Sequence, residues 1–333
     1  MQISSLLEVL DATLQNEPSI SFIYDIKTKA SGIKDGDAII SNSQHEISKA
    51  IEKGAFGIIY SNDNIQITDS EIAWMKVQDI QKSTIKLTRF LLSNIKVKSI
   101  SCDFLSFEMM KVFAKNNKKI NFVDDNIIKN FQKIKSISQN ETILCTNHIF
   151  LEQILPTSKK MRNKNFRIKN LTEHSLFEIS FSYKNNFFSR VKLPIIYIKH
   201  FLNSVEFFGL ENIDQAKLKN FKYLYPIFIN KNSEIVDFGK SDKFIILQNE
   251  KSVTNDEIHF LNSKFSYGKK IFLFPKNTKR ITKLKEVMFY ESKNELENFI
   301  NQNNFNCIYI FGIDEQEFMK LLKPNYQTKS LFL

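Results

Sequence analysis

The chain has 333 residues, 42% hydrophobic and 25% charged, with a formal charge of +11. That length calls for two or three domains, and the composition is that of an ordinary soluble globular protein. No segment approaches the ~18 apolar residues of a membrane span, Glu8 and Asp11 argue against a signal peptide, and three scattered cysteines argue against a disulfide frame or zinc site, fitting a reducing cytoplasm.

The first segment alternates helix and strand. "ISSLLEVLDATL" carries apolar residues at helical spacing, "SISFIYDI" and "GDAIIS" read as strands, and "HEISKAIEKGA" is a helix stopped by Gly54. "FGIIYS" and "IAWMKV" are short strands, and "DIQKSTIKLTRFLLSN" is an amphipathic helix ending near Asn94. A second segment opens with "VKSISCDFLSFEMMKVFA", a strand, a turn and a helix, and continues with strands at "KINFVDD" and "TILCTNH" and a helical stretch from Phe150 to Leu155. Antiparallel strands follow from Phe166 to Pro194, with "YKNN" as a hairpin turn, and then the helix "IYIKHFLNSVEFFGL". From about Pro226 the pattern is again strand and helix. "KFIILQN", "KKIFLFP", "EVMFY" and "CIYIFG" are strands, while "NDEIHFLNSKF", "KNELENFINQ" and "DEQEFMKLL" are helices, which implies a parallel sheet.

Glycine is the informative residue. The chain has 8, where average usage of ~7% would give about 23. Four lie between Gly32 and Gly57, and none between Ile58 and Phe208. A phosphate loop needs backbone N–H groups that approach the ligand closely, so the middle of the chain cannot build one of the usual kind. Two basic clusters, Lys159 to Lys169 and Lys269 to Lys285, could meet phosphates or an acidic surface, or could be loops and strand edges kept soluble by lysine. Neither carries a recognition-helix or RNA-binding motif, so a nucleic-acid partner is not expected. The five histidines show no metal-ligand spacing, and no G-x-S-x-G elbow surrounds Ser101 or Ser106. Cys102 reads as a small buried hydrophobe, Asp124-Asp125 as a turn or cap, and Phe207-Phe208 as core.

Four signals near the N-terminus fall in a recognisable order: Asp25-Ile26-Lys27, Lys34-Asp35-Gly36-Asp37, the "SQHEISKAIEKGA" run with His45, Ala50, Gly54 and Ala55, and "VQD" with Asp79. They resemble the D-[ST]-R, K-x-G-D, D-G-H…A-x-x-x-G-A and V-x-D signatures of the first domain of the Mur ligases. Those enzymes use ATP to add amino acids or D-Ala-D-Ala to UDP-N-acetylmuramoyl peptides. The resemblance is closest to the ligases for the diamino acid and for D-Ala-D-Ala.

It implies a three-domain α/β architecture: 1–94 as the N-terminal domain, 95–225 as a shortened former ATPase domain, and 226–333 as a Rossmann-like C-terminal domain. Where the family places its ATP loop, G-[ST]-x-G-K-[ST]-[ST], this chain has Ser101 to Phe107, and the helix that follows still resembles the family's T-K-E-M helix through Glu108-Met109-Met110. Loss of the glycines, the lysine and the hydroxyl ligand removes three parts of phosphate binding together, and Asp103 adds repulsion. "TNHIFLEQI" is similar to the family's T-N…H-L-E segment, and Leu193-Pro194 and Asn203 match its late central domain.

The resemblance thus implies a degenerate Mur ligase, a cytoplasmic binding or scaffold protein of peptidoglycan synthesis or cell shape. Candidate substrate-binding residues are Asp25, Lys27, Asp37 and His45, with His45 near the family's uridine loop or else simply starting a helix. Ser101, Cys102, Asp103 and Ser106 mark the former ATP-loop position. No catalytic residue, metal or cofactor is expected, ATP and magnesium being lost. The expected partners are a UDP-N-acetylmuramoyl precursor and other peptidoglycan-synthesis proteins. An active D-Ala-D-Ala-adding ligase with an atypical site is the alternative, and an anionic-polymer binder the remoter one.

Overall fold

The computed structural model describes residues 1–322, apart from 115–116, 118, 163, 279–286 and 303. The second basic cluster therefore lies partly outside the described residues, from 279 onward, as does Asn163 of the first. The chain divides into two compact units, Met1–Lys164 and Asn165–Leu333.

In the first unit, helix α1 (Ile3–Leu10) is followed by strands β1 (Thr13–Leu14), β2 (Ile26–Lys27) and β3 (Ala38–Ile40), helix α2 (Gln44–Glu52), strands β4 (Gly57–Tyr60) and β5 (Ala73–Lys76), and helix α3 (Ile80–Leu92). The five strands form one sheet in the order β1-β5-β4-β3-β2, parallel except for β1. Side chains alternate across a strand, so Ile40, Ile59 and Met75 pack with α1 and α3 while Ile39, Ile58 and Trp74 pack with α2. Both faces are covered, as a parallel sheet requires.

A second sheet follows: β6 (Lys98–Ser101), α4 (Phe104–Ala114), β7 (Ile120–Phe122), α5 (Ile127–Lys135), β8 (Thr142–Cys145), α6 (His148–Ile154) and β9 (Lys159–Lys160). Its order is β7-β8-β6-β9, all parallel. The end of α3 joins α5 and α6 on one face, where Leu92, Ile127, Ile134 and Leu151 share a buried cluster with Ile143.

The second unit begins with an antiparallel sheet of β10 (Ile168–Ser175), β11 (Glu178–Tyr183) and β12 (Asn186–Val191), and Lys184 turns the expected hairpin at φ 54. Helix α7 (Ile198–Phe208) leads to β13 (Pro226–Ile229), β14 (Lys243–Gln248), α8 (Lys251–Lys264), β15 (Lys270–Pro275), β16 (Val287–Tyr290), α9 (Lys293–Gln302), β17 (Cys307–Phe311) and α10 (Glu315–Met319). The C-terminal sheet runs β13-β14-β17-β15-β16, parallel except for β13. Helices α9 and α10 cover one face through Leu296, Ile300 and Phe318. On the other, α8 carries Glu257, which is fully buried. Its carboxylate accepts hydrogen bonds from the hydroxyls of Tyr197 and Tyr309, from Gln248 Nε2 at 2.9 Å and from the Leu224 amide at 3.1 Å.

Several expected elements change length. The first helix stops at Leu10 because Asp11 turns left-handed at φ 58, and the chain enters β1 instead. In place of the strand expected over "SISFIYDI" the structure has β2 at Ile26–Lys27, the preceding segment making single backbone bonds to Met1, Gly36 and Glu71 and an isolated bridge between Gln2 and Phe22. The helix read over "DEQEFMKLL" ends at Met319. Helix α5 and strand β13 add to the elements expected from the sequence. Among the described residues no helix is long and apolar enough to cross a membrane.

Candidate functional site

The first group of candidates is spread along β2 and β3: Asp25 and Asp37 immediately precede these strands, Lys27 ends β2, and His45 follows β3 at the start of α2. Asp25 accepts from the Ile26 amide at 2.7 Å, from Lys27 Nζ at 2.6 Å, and from Lys135 Nζ at the end of α5. Partial burial pushes its carboxyl upward, but the bonds from Lys135, Lys27 and the amide outweigh that and hold the pKa at about 2. The same end of α5 reaches the Ile26 carbonyl, with Gln132 Nε2 at 2.8 Å and Lys135 Nζ at 3.0 Å. Asp25 and Lys27 are therefore committed to each other and to α5.

Asp37 is buried, its Oδ2 accepting the Lys34 amide at 3.0 Å within its own turn. Gly36 takes φ +86 beneath Tyr24, where an added Cβ would lie 2.0 Å from the ring. The glycine serves a tight backbone turn under an aromatic ring.

His45 is exposed on the first turn of α2, which Ser43 caps by accepting the Glu46 amide at 3.4 Å. Glu46 reaches back to accept the Ala30 amide at 2.9 Å, tying the turn after β2 to the helix. Between that turn and α2 runs an open cleft of about 780 Å³, within the range of small-molecule sites. Thr28, Lys29 and Ser31 form one wall, and Lys49, Glu52 and Lys53 the other. None of His45, Lys27, Asp25 and Asp37 lines this cleft. The lining residues carry no family signature and became visible only when β2 and α2 were placed side by side.

The second group sits where β6 ends and α4 begins. Asp103 Oδ1 accepts the Ser106 amide at 2.9 Å and Oδ2 the Ser106 hydroxyl at 2.7 Å, while its carbonyl accepts the Phe107 amide at 2.9 Å. This is an N-cap, satisfying a donor that would otherwise face outward from the helix start. Ser106 is fully buried with its hydroxyl on that carboxylate. Cys102 is buried as expected, and burial, then the nearby Asp103 and Cys145, push its thiol up to about 12, far from a nucleophile's range. Ser101 is 2% exposed, and its Oγ has no hydrogen-bond partner among the described residues. The four residues expected together are together, and capping occupies two of them.

On neighbouring β8 the "TNH" segment turns into α6, with Asn147 Oδ1 capping the Phe150 amide at 3.1 Å. His148 Nε2 faces Glu152 Oε1 at 3.3 Å, while its buried Nδ1 has no partner among the described residues. The described residues contain no group of three or more His, Cys, Asp or Glu side chains that could hold a metal ion.

No protein-family model matches the sequence, and no curated protein sequence matches it. Solved structures do match. The MurF ligase of Thermotoga maritima in complex with ADP is similar at TM-score 0.58 and 10% identity, over 89% of this chain and 96% of that one. Two crystal structures of MurF from Acinetobacter baumannii are similar at TM-scores of 0.56 and 0.53, with 9% and 10% identity, each over 96% of this chain and 97% of theirs. At such identity the fold is what is shared.

Proposed function

We propose that this chain, built on the Mur-ligase fold, acts in peptidoglycan synthesis as a binding or scaffold protein without ATP turnover. The observation that carries the reading is Asp103. At the start of α4, where phosphate oxygens would approach in a nucleotide-binding α/β domain, its carboxylate already holds the amide and hydroxyl of Ser106. A triphosphate would have to displace that cap and sit against its charge. The turn from Ser101 to Phe107 supplies neither glycine nor lysine in compensation. These residues do not fit ATP and magnesium.

The first sheet is the better place for a ligand. Lys29 and Lys49, with the hydroxyls of Thr28 and Ser31, line a cleft whose donors suit the diphosphate and sugar of a UDP-N-acetylmuramoyl precursor. In this reading Asp25, Lys27 and Asp37 hold the shape of the loops, and His45 stands at the rim.

The test is thermal stability with each ligand at millimolar concentration. UDP-N-acetylmuramic acid at 100 times its Kd adds about 2.7 kcal/mol, a shift that Lys49→Ala and His45→Ala reduce. Magnesium-ATP gives no shift, and no phosphate is released with UDP-muramoyl tripeptide and D-Ala-D-Ala. Stabilisation by ATP, or phosphate release abolished by Lys98→Ala or Asp103→Ala, would replace this reading with that of an active ligase.

A further inference from the structure

The second unit contains a cleft of about 390 Å³ between the end of β10 and the β13–β14 side of the C-terminal sheet. Its floor and walls are aromatic and continuous. Phe238 packs on Phe228 at a centroid distance of 5.3 Å, Phe228 and Phe177 pack on Phe244 at 5.9 and 5.0 Å, Phe244 on Phe265 at 5.6 Å, and Phe265 on Tyr267 at 4.9 Å. The inner rings are buried, but Tyr267 is 85% exposed, a wall standing into water.

One end of this ladder already holds a cation, Lys192 Nζ lying 4.7 Å from the Phe238 centroid. Near the other end Lys270 Nζ, which donates to the Phe265 and Gly268 carbonyls, lies 5.8 Å from the Phe265 centroid. Ring faces attract ammonium groups through their quadrupole. Between the two ends, at the mouth, stands Asp242, an exposed carboxylate with no hydrogen bond or ion pair among the described residues, although Lys240 and Lys243 flank it in sequence. Asn306 lines the same mouth, its Oδ1 accepting, among the described residues, the Lys269 amide alone at 3.0 Å and keeping a lone pair to spare.

We propose that this cleft binds an alkylammonium group, its aliphatic stem on the phenylalanine floor and its charge between the Tyr267 ring and the Asp242 carboxylate. A neutral ring would satisfy the floor and leave Asp242 unanswered, and an anion would be repelled by it. The group could arrive on a free amine or on a lysine side chain of another protein, and the chemistry is the same.

The experiment titrates the full chain by calorimetry with n-butylammonium, with the peptide acetyl-Ala-Lys-Ala-amide, and with 1-butanol as the uncharged counterpart. Both amines bind, and 1-butanol binds at least about tenfold more weakly. Asp242→Asn weakens amine binding about tenfold and leaves 1-butanol unchanged. Tyr267→Ala weakens the amines while Tyr267→Phe does not. Because both side chains are exposed, these variants keep the fold. Tighter binding of the peptide assigns the site to a protein lysine, and equal or tighter binding of n-butylammonium assigns it to a free amine. Equal binding of 1-butanol, no binding of either amine, or indifference to Asp242→Asn overturns the proposal.

Discussion

Asp25 in the first unit and Glu257 in the second are both drawn out of water, and they are held by opposite means. Asp25 keeps 40% of its side chain exposed and is gripped by two ammonium groups. Glu257 is fully buried and meets only neutral donors: two phenols, an amide side chain and a backbone N–H. Cationic donors favour the ionised form strongly enough to override desolvation, so Asp25 titrates at about 2. Four neutral donors do not, and burial, the largest influence, raises the carboxyl of Glu257 despite them. The consequences for stability have opposite signs. Folded Asp25 binds its proton more weakly than the unfolded chain, so its contribution is present above 3.8 and is lost as pH falls toward about 2. Folded Glu257 binds its proton more tightly, so its contribution is present below 4.5 and declines as pH rises beyond that value.

The sharpest way to break this contrast is Glu257→Ala. It strands two buried phenols, Gln248 and the Leu224 amide, and the expected loss is about 4 kcal/mol, read as a lower urea midpoint by circular dichroism. A loss under about 1 kcal/mol would mean that the carboxylate is not what holds these groups. Glu257→Gln keeps the shape and removes the titration. The native protein's melting temperature should carry a descending component as pH rises beyond 4.5, and the variant should run flatter there. Asp103 offers an intermediate case, a cap held by one amide and one hydroxyl. Asp103→Ala should cost about 1 kcal/mol and Asp103→Asn much less, by the same denaturation measurement.

The smallest effect belongs to Asp25→Asn. Solvent screening leaves roughly half a kcal/mol at neutral pH, shrinking in high salt and disappearing as pH falls from 3.8 to about 2. Its readout is the fluorescence of Trp74, the one tryptophan of the chain, fully buried in β5 of the same unit. A difference that persists unchanged at low pH would show that the lysines do not depend on the charge.

Much of the fold could be read from periodicity. Buried strands such as "GIIY" and "CIYIF" are short apolar runs ended by polar or glycine residues, and capped amphipathic helices such as α3 announce themselves through Asp79 and the spacing after it. Helix α5 is short, and although Asn126 caps it and Ile127, Phe131 and Ile134 share one face, its isoleucines, phenylalanine and asparagine carry weak helix propensity. The glycine distribution marked the first sheet as the place of tight turns, and Gly36 makes one of them beneath the Tyr24 ring.

At the second sheet, Asp103 was legible as an obstacle to phosphate but not as a cap, since capping depends on the backbone angles of the turn. The hold of Lys135 on Asp25, across 110 residues of sequence, left no local signal at all. Nor did the aromatic cleft, whose rings come from distant segments.

The knot around Glu257 also gives the protein an optical signature in alkali. Tyr197 and Tyr309 are both pushed far above the ordinary phenol range, by burial first and by the adjoining Glu257 next. Tyr24 and Tyr267, by contrast, stand exposed to solvent. The two inner ones must wait for α8 to part from β17, which carries Tyr309, and from the turn that carries Tyr197. In a stopped-flow alkaline jump, the ultraviolet absorbance of phenolate should therefore appear in an immediate step and a slow one. The slow rate times the opening of that contact, tyrosine by tyrosine.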